Sequence, residues 1–157
     1  MLFRSRDQAA VVANQLAAYY ADPRSIVAGG GLPDTYRVLH VTDLHLDPVG
    51  AELANSLVGA YDVSLVINTG DIVILGGAEE SALLRSLVTT AAPVIYVPGN
   101  HDSPLVTATL DAMENVTVAS KGTVVHDGLR IATLADPQSD RFEFQPLGDR
   151  EVEALAE

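Results

Sequence analysis

Three short apolar runs, Arg37-Val38-Leu39-His40-Val41, residues 63–67 and residues 93–97, constrain this chain more than any other feature. Each is separated from the next by a segment with helical spacing. Antiparallel strands can be joined by a two-residue turn, whereas parallel strands need a crossover of a dozen residues or so, usually a helix. The order therefore reads β-α-β-α-β. The first crossover helix is expected over about 50–60, with Leu53, Ala54, Leu57 and Val58 on one face. A second follows Gly76-Gly77 over about 78–89. After the third strand, Ser103-Pro104 reads as the N-cap and first helical residue of a helix over 105–113. Strands this continuously apolar are expected to be buried on both faces of a parallel sheet.

Beyond Met113 the texture changes. Residues 116–119, 123–126 and 129–134 read as short strands divided by Lys121-Gly122 and Asp127-Gly128, the latter a two-residue hairpin signal. Upstream, residues 7–20 carry Ala10, Ala13, Leu16, Ala17 and Tyr20 on one helical face, and Asp22-Pro23 ends that pattern. A Gly-rich stretch over 28–33 then reads as a linker. The division expected is residues 1–35 as helix and linker, and 36–157 as the main domain, with the start of a helix over 149–157.

Composition narrows the chemistry. Hydrophobic residues make up 48% and charged residues 19% of the 157, a balance that suits a folded core rather than a disordered chain. No apolar run is long enough for a bilayer, and the first residues lack a signal-peptide core. A cytoplasmic location is expected, with membrane contact only through segments outside this chain. There is no cysteine, so any metal must be held by oxygen and imidazole ligands. The formal net charge of −12 repels long nucleic acid, while a small phosphate ester can still bind where cations sit locally.

Three polar clusters follow the three strands: Asp43-Leu44-His45, Gly70-Asp71 and Gly99-Asn100-His101-Asp102. Loops at the carboxyl ends of parallel strands gather along one edge, where ligands bind. Each cluster alone suits a turn or a cap. Their coincidence after successive strands argues instead for a site whose carboxylate, imidazole and amide groups suit Mn²⁺, Fe, Zn²⁺ or similar ions. Asp43 and His45 are two apart and would point to one side if strand geometry persisted. Asp71 follows a Gly that admits close backbone approach, and its carboxylate could bridge two ions about 3.5–4 Å apart. His40, inside the first strand, reads as a packed or hydrogen-bonded residue, and His126 as a strand residue beside a turn.

These three blocks resemble the first signature blocks of the calcineurin-like metallophosphoesterases, over about residues 37–136. The resemblance implies an α/β fold, a two-sheet sandwich flanked by helices, that hydrolyses phosphate mono- or diesters with two divalent metal ions. Asp43 and His45 would hold the first ion, Asp71 would bridge, and Asn100 would bind the second. His101 would face the scissile phosphate, stabilising charge or protonating the leaving oxygen, and Asp102 would orient that imidazole. Two departures qualify this. Phosphoprotein phosphatases extend the second block to Gly-Asp-x-x-Asp-Arg-Gly, but here Ile74 and Leu75 replace the acid and the arginine. The later His and Gly-His-x-His block has no counterpart after His101. The chain is therefore expected to be the N-terminal part of such a domain, with an incomplete fold, doubtful occupancy of the second metal position, and low or no activity. Exposed apolar surface would favour self-association or a complementary fragment. The competing expectation is a non-catalytic binding module derived from a phosphoesterase.

Overall fold

Two sheets of different kinds, with helices on one side, make up the computed structural model, which describes residues 35–137 and Ala154. The helix expected over 7–20, the Gly-rich linker and, apart from Ala154, the helix over 149–157 lie outside the described residues. The elements run β1 (Val38–Val41), α1 (Pro48–Tyr61), β2 (Leu65–Asn68), α2 (Ala78–Leu87), β3 (Val94–Tyr96), α3 (Pro104–Asp111), β4 (Val116–Val118), β5 (Lys121–His126) and β6 (Leu129–Leu134). Strands β1-β2-β3-β4 form a parallel sheet in sequence order, and β5-β6 form an antiparallel pair. Among the described residues no helix is long and apolar enough to cross a membrane.

Local chemistry fixes the helix starts. Asp47 caps α1, its Oδ1 accepting from Val49 N at 3.0 Å, with Pro48 in the first turn. Ser103 caps α3 in the same way through Val106 N, as the Ser-Pro pair predicts. At the entrance to α2 the donors left over in the loop are taken by Glu80, whose Oε2 accepts from Leu75 N at 2.8 Å and Gly76 N at 2.6 Å.

The strand period of two divides the core. Val66, Val94, Tyr96 and Val116 face the helices, packing with Ile72, Val73, Leu84, Val106 and Leu110. Leu65 and Ile95 face the other way, against Ala119, Ile67, Val124 and Ile131 beneath the β5-β6 hairpin. Leu65, Leu84 and Val106 are fully buried, each contributing roughly 1.5–3 kcal/mol of hydrophobic stabilisation. The hairpin turns at Asp127-Gly128, both with positive φ (47° and 83°), as the primed two-residue turn requires.

Two expectations are corrected. Lys121-Gly122 does not divide two strands but opens β5, paired with Leu134 and Thr133. The break falls at residues 119–120, where Ala119 N donates to Tyr96 O at 2.9 Å. Strand β1 is not buried on both faces: it ends the parallel sheet, and Val38 is 44% exposed. His40, on that exposed face, bonds through Nε2 to Thr69 Oγ1 at 2.9 Å.

One core residue is not fully satisfied. Tyr96 is 1% exposed, and among the described residues no group meets its hydroxyl with full hydrogen-bond geometry, although Asp102 and Thr107 lie near it. Burial first, then the charges of Asp102 and Asp71, push the phenol far above its ordinary value. A raised value means that the neutral phenol's contribution is complete below about pH 10 and is lost as pH rises above it. Tyr96→Phe is expected to raise the unfolding free energy by about 1 kcal/mol, because it removes an unsatisfied buried hydroxyl. It should also flatten the loss of stability above pH 10. Urea titrations at neutral and alkaline pH check both.

Candidate metal centre

The three polar clusters meet at the carboxyl edge of the parallel sheet, held by backbone conformations that few residues adopt. Asp43, His45, Leu46 and Asp71 all have positive φ (55°, 44°, 60° and 54°). Such left-handed residues concentrate at functional sites, where surrounding contacts must hold them. Here the contacts are main-chain hydrogen bonds between the first two loops. Asp43 N donates to Gly70 O at 3.0 Å, His45 N to Asp71 O at 2.9 Å and Leu46 N to Ile72 O at 2.9 Å. The strand geometry expected to carry Asp43 and His45 to one side therefore stops at Val41. Left-handed turns bring the pair together instead, with Asp43 Oδ1 3.8 Å from His45 Nε2.

The second and third loops interlock through their glycines. Gly70 has φ 94°, and a Cβ on it would run into the backbone of Gly99. A Cβ on Gly99 would in turn run into the amide nitrogen and carboxylate of Asp71. Asp102 closes the joint: its Oδ2 accepts from Asp71 N at 2.8 Å and Gly99 N at 3.0 Å, and its Oδ1 from Ile72 N at 3.1 Å. Asn68 adds a brace at the end of β2, its Oδ1 accepting from Gly70 N at 2.9 Å.

On this frame His45, Asp71 and His101 converge, one ligand atom of each lying within 4.8 Å of the others. Both imidazoles are oriented from behind by consecutive carbonyls. His45 Nδ1 meets Val73 O at 3.1 Å, and His101 Nδ1 meets Ile74 O at 2.7 Å. A carbonyl only accepts, so Nδ1 carries the proton and the lone pair is at Nε2 on both rings. The rings stand edge to face, with centroids 4.9 Å apart. Carbonyls holding the outer nitrogen of a ligand imidazole are a usual support of metal sites.

The remaining expected residues are placed as follows. Asp43 lies one step outside the group of three, 60% exposed, with Oδ2 accepting from Thr42 Oγ1 at 2.6 Å. Asn100 sets its carboxamide 3.3 Å from both oxygens of Asp71. One orientation points its oxygen at theirs, which a cation between them would favour. Turned over, its nitrogen donates to them. Asp102, expected beside the imidazole of His101, instead has both oxygens on main-chain N–H groups, and the ring nitrogen Nδ1 is held by Ile74 O. His126 sits at the hairpin turn, 3.8 Å from Asp127. The carbonyls of Val73 and Ile74 were not found by sequence reasoning, since a backbone acceptor carries no residue signature.

The donor set is one a divalent ion satisfies. Asp71 Oδ1 accepts from His101 N at 3.0 Å, which compensates only part of the negative charge shared with Asp43 and Asp102. No Lys or Arg belongs to the cluster; among the described residues they occur only at Arg37, Arg85, Lys121 and Arg130. Two imidazoles, carboxylates and an amide oxygen suit Mn²⁺, Fe or Zn²⁺.

Asp102→Ala should destabilise the chain by about 3 kcal/mol, because three half-buried donors lose a charged acceptor at once. Asp102→Asn, which keeps one acceptor oxygen, should fall between. Urea unfolding of the metal-free chain measures both.

Comparison with known proteins agrees with this geometry. The family model for calcineurin-like phosphoesterases matches residues 36–154. No curated protein matches the chain. With the greater part of its length matched, the chain belongs to the calcineurin-like phosphoesterase family.

Proposed function

We propose that this chain carries the metal-dependent phosphoester-hydrolysing centre of its family, built from Asp43, His45, Asp71, Asn100 and His101. The observation that carries the reading is the convergence of His45, Asp71 and His101 with ring nitrogens already oriented, while Asn100 faces the same carboxylate. Asp43, His45, Asp71 and Asn100 would hold the divalent ions. Bound there, divalent ions neutralise the phosphate and make water a competent nucleophile at neutral pH.

The chain's own groups do the rest. Ile74 O fixes the ring of His101, so Nε2 stays at the cluster, where, once it has taken up a proton as the imidazolium, it would stabilise charge on the phosphate or give that proton to the departing oxygen. Asp102 acts on the loops rather than on that ring. By tying Asp71 N and Gly99 N together it sets the distance between the Asp71 carboxylate and the Asn100–His101 turn. Ile74 and Leu75 are 46% and 54% exposed and stand where the phosphoprotein phosphatases carry an acid and an arginine. Without that arginine, bound ions would supply positive charge at the phosphate. The substrate proposed is accordingly a small phosphate ester rather than a phosphoprotein or long nucleic acid.

The test is hydrolysis of bis(p-nitrophenyl) phosphate with Mn²⁺, before and after chelation. Turnover is expected to be low; chelation should abolish it and Mn²⁺ should restore it. Asp71→Ala and His45→Ala should each reduce it at least about a hundredfold. Turnover unaffected by chelation would overturn the metal-dependent reading. So would stoichiometric phosphoester binding with no turnover at any metal concentration, the outcome a binding module would give.

A further inference from the structure

We propose that Glu80 is a positioning residue for His101, acting through a single peptide group. The inference rests on the phosphoesterase reading and adds a residue to the same site. Behind His101, the acceptor for Nδ1 is Ile74 O at 2.7 Å. That carbonyl shares its peptide plane with the N–H of Leu75, which donates to Glu80 Oε2 at 2.8 Å. The Ile74–Leu75 peptide is trans, so its C=O and N–H point in opposite directions from one rigid plane. Carboxylate, peptide and imidazole therefore form one continuous series of hydrogen bonds, with Glu80 at one end and His101 at the other.

The side chains of Ile74 and Leu75 are exposed, so packing does little to set the angle of this plane. Its neighbours on either side are anchored. Val73 is fully buried upstream. Downstream, Gly76 N donates to the same Glu80 Oε2 at 2.6 Å, and Gly76 O accepts from Ser103 Oγ at 2.6 Å. Gly76 has φ 68°, and a Cβ there would stand 2.9 Å from Ser103 Cβ and 3.0 Å from His101 O. Glu80, half-buried in the first turn of α2, brings a carboxylate to this joint. Hydrogen bonds in series polarise one another, so a carboxylate on the N–H makes Ile74 O a stronger acceptor. A stronger acceptor holds the proton at Nδ1 and leaves the Nε2 lone pair at the cluster. His45 supplies an internal control, because its Nδ1 meets Val73 O, which belongs to the preceding peptide plane. Capping of α2 alone would not discriminate between the two rings.

Long-range ¹H–¹⁵N spectra of the metal-free chain at about pH 9, where the rings are neutral, report which nitrogen of each histidine carries the proton. In the unaltered chain both His45 and His101 should carry it at Nδ1. Glu80→Ala should move His101 toward the Nε2–H form that free histidine favours, and leave His45 as it was. Glu80→Gln keeps an acceptor oxygen without the charge and should fall between; it decides the matter alone if Glu80→Ala does not fold. Glu79→Ala, which takes a carboxylate from the same helical turn, should change neither ring. In the Mn²⁺-loaded chain, Glu80→Ala should lower kcat for bis(p-nitrophenyl) phosphate about tenfold with KM little changed. A His101 ring unmoved by either Glu80 variant would overturn the proposal. Equal changes at His45 and His101 would do the same, as would an unaltered kcat in an active chain whose His101 had shifted. A selective shift of His101 in a chain without turnover would uphold Glu80 and overturn the phosphoesterase reading. Metal-dependent turnover by a chain whose His101 ignores Glu80 would do the reverse.

Discussion

The carboxylate of Asp102 is the contact on which the rest of the site depends. It accepts from the amides of Asp71, Ile72 and Gly99, so one side chain of the third loop fixes the path of the second. The first loop is then built on the second through the bonds from Asp43, His45 and Leu46 to the carbonyls of Gly70, Asp71 and Ile72. The chain of dependence runs from Asp102 to Asp71 and then to the Asp43–His45 turn. Gly70 and Gly99 make it possible, since neither position has room for a side chain. Four non-glycine residues with positive φ lie in these two dependent loops, and although Asp and His tolerate that region better than most, the interloop hydrogen bonds are what hold all four there.

The same arrangement explains how an acidic protein could handle an anionic ester. Carboxylates gathered without a cationic side chain repel one another and repel phosphate. A divalent ion reverses both effects. The orientation of the two imidazoles is set beforehand by the Val73 and Ile74 carbonyls, so binding an ion would require little rearrangement of either ring.

Much of the fold was legible because its determinants are local. Apolar runs separated by helical segments gave the parallel order, Asp127-Gly128 the hairpin turn, and Ser103-Pro104 the start of α3. What was not legible depends on neighbours in space. That β1 lies at the edge follows from the sheet order, not from its own residues. That Lys121-Gly122 pairs rather than turns depends on Leu134 and Thr133 across the strand. For the site, the blocks identified the polar side chains, but the Asp43–His45 pairing arises from left-handed turns and not from an extended strand. The place of Asp102 was hidden for a similar reason: its neighbour in sequence is His101, whereas its partners in space are amides some thirty residues back.

The central claim is that these loops form a site for divalent metal. It is tested most directly by anomalous diffraction at the manganese edge from crystals of the chain grown with Mn²⁺. The account predicts a peak within bonding distance of Asp71, with His45 or Asn100 as a second ligand. Diffraction showing manganese elsewhere, or no peak at Asp71 with the ion present in excess, would contradict it.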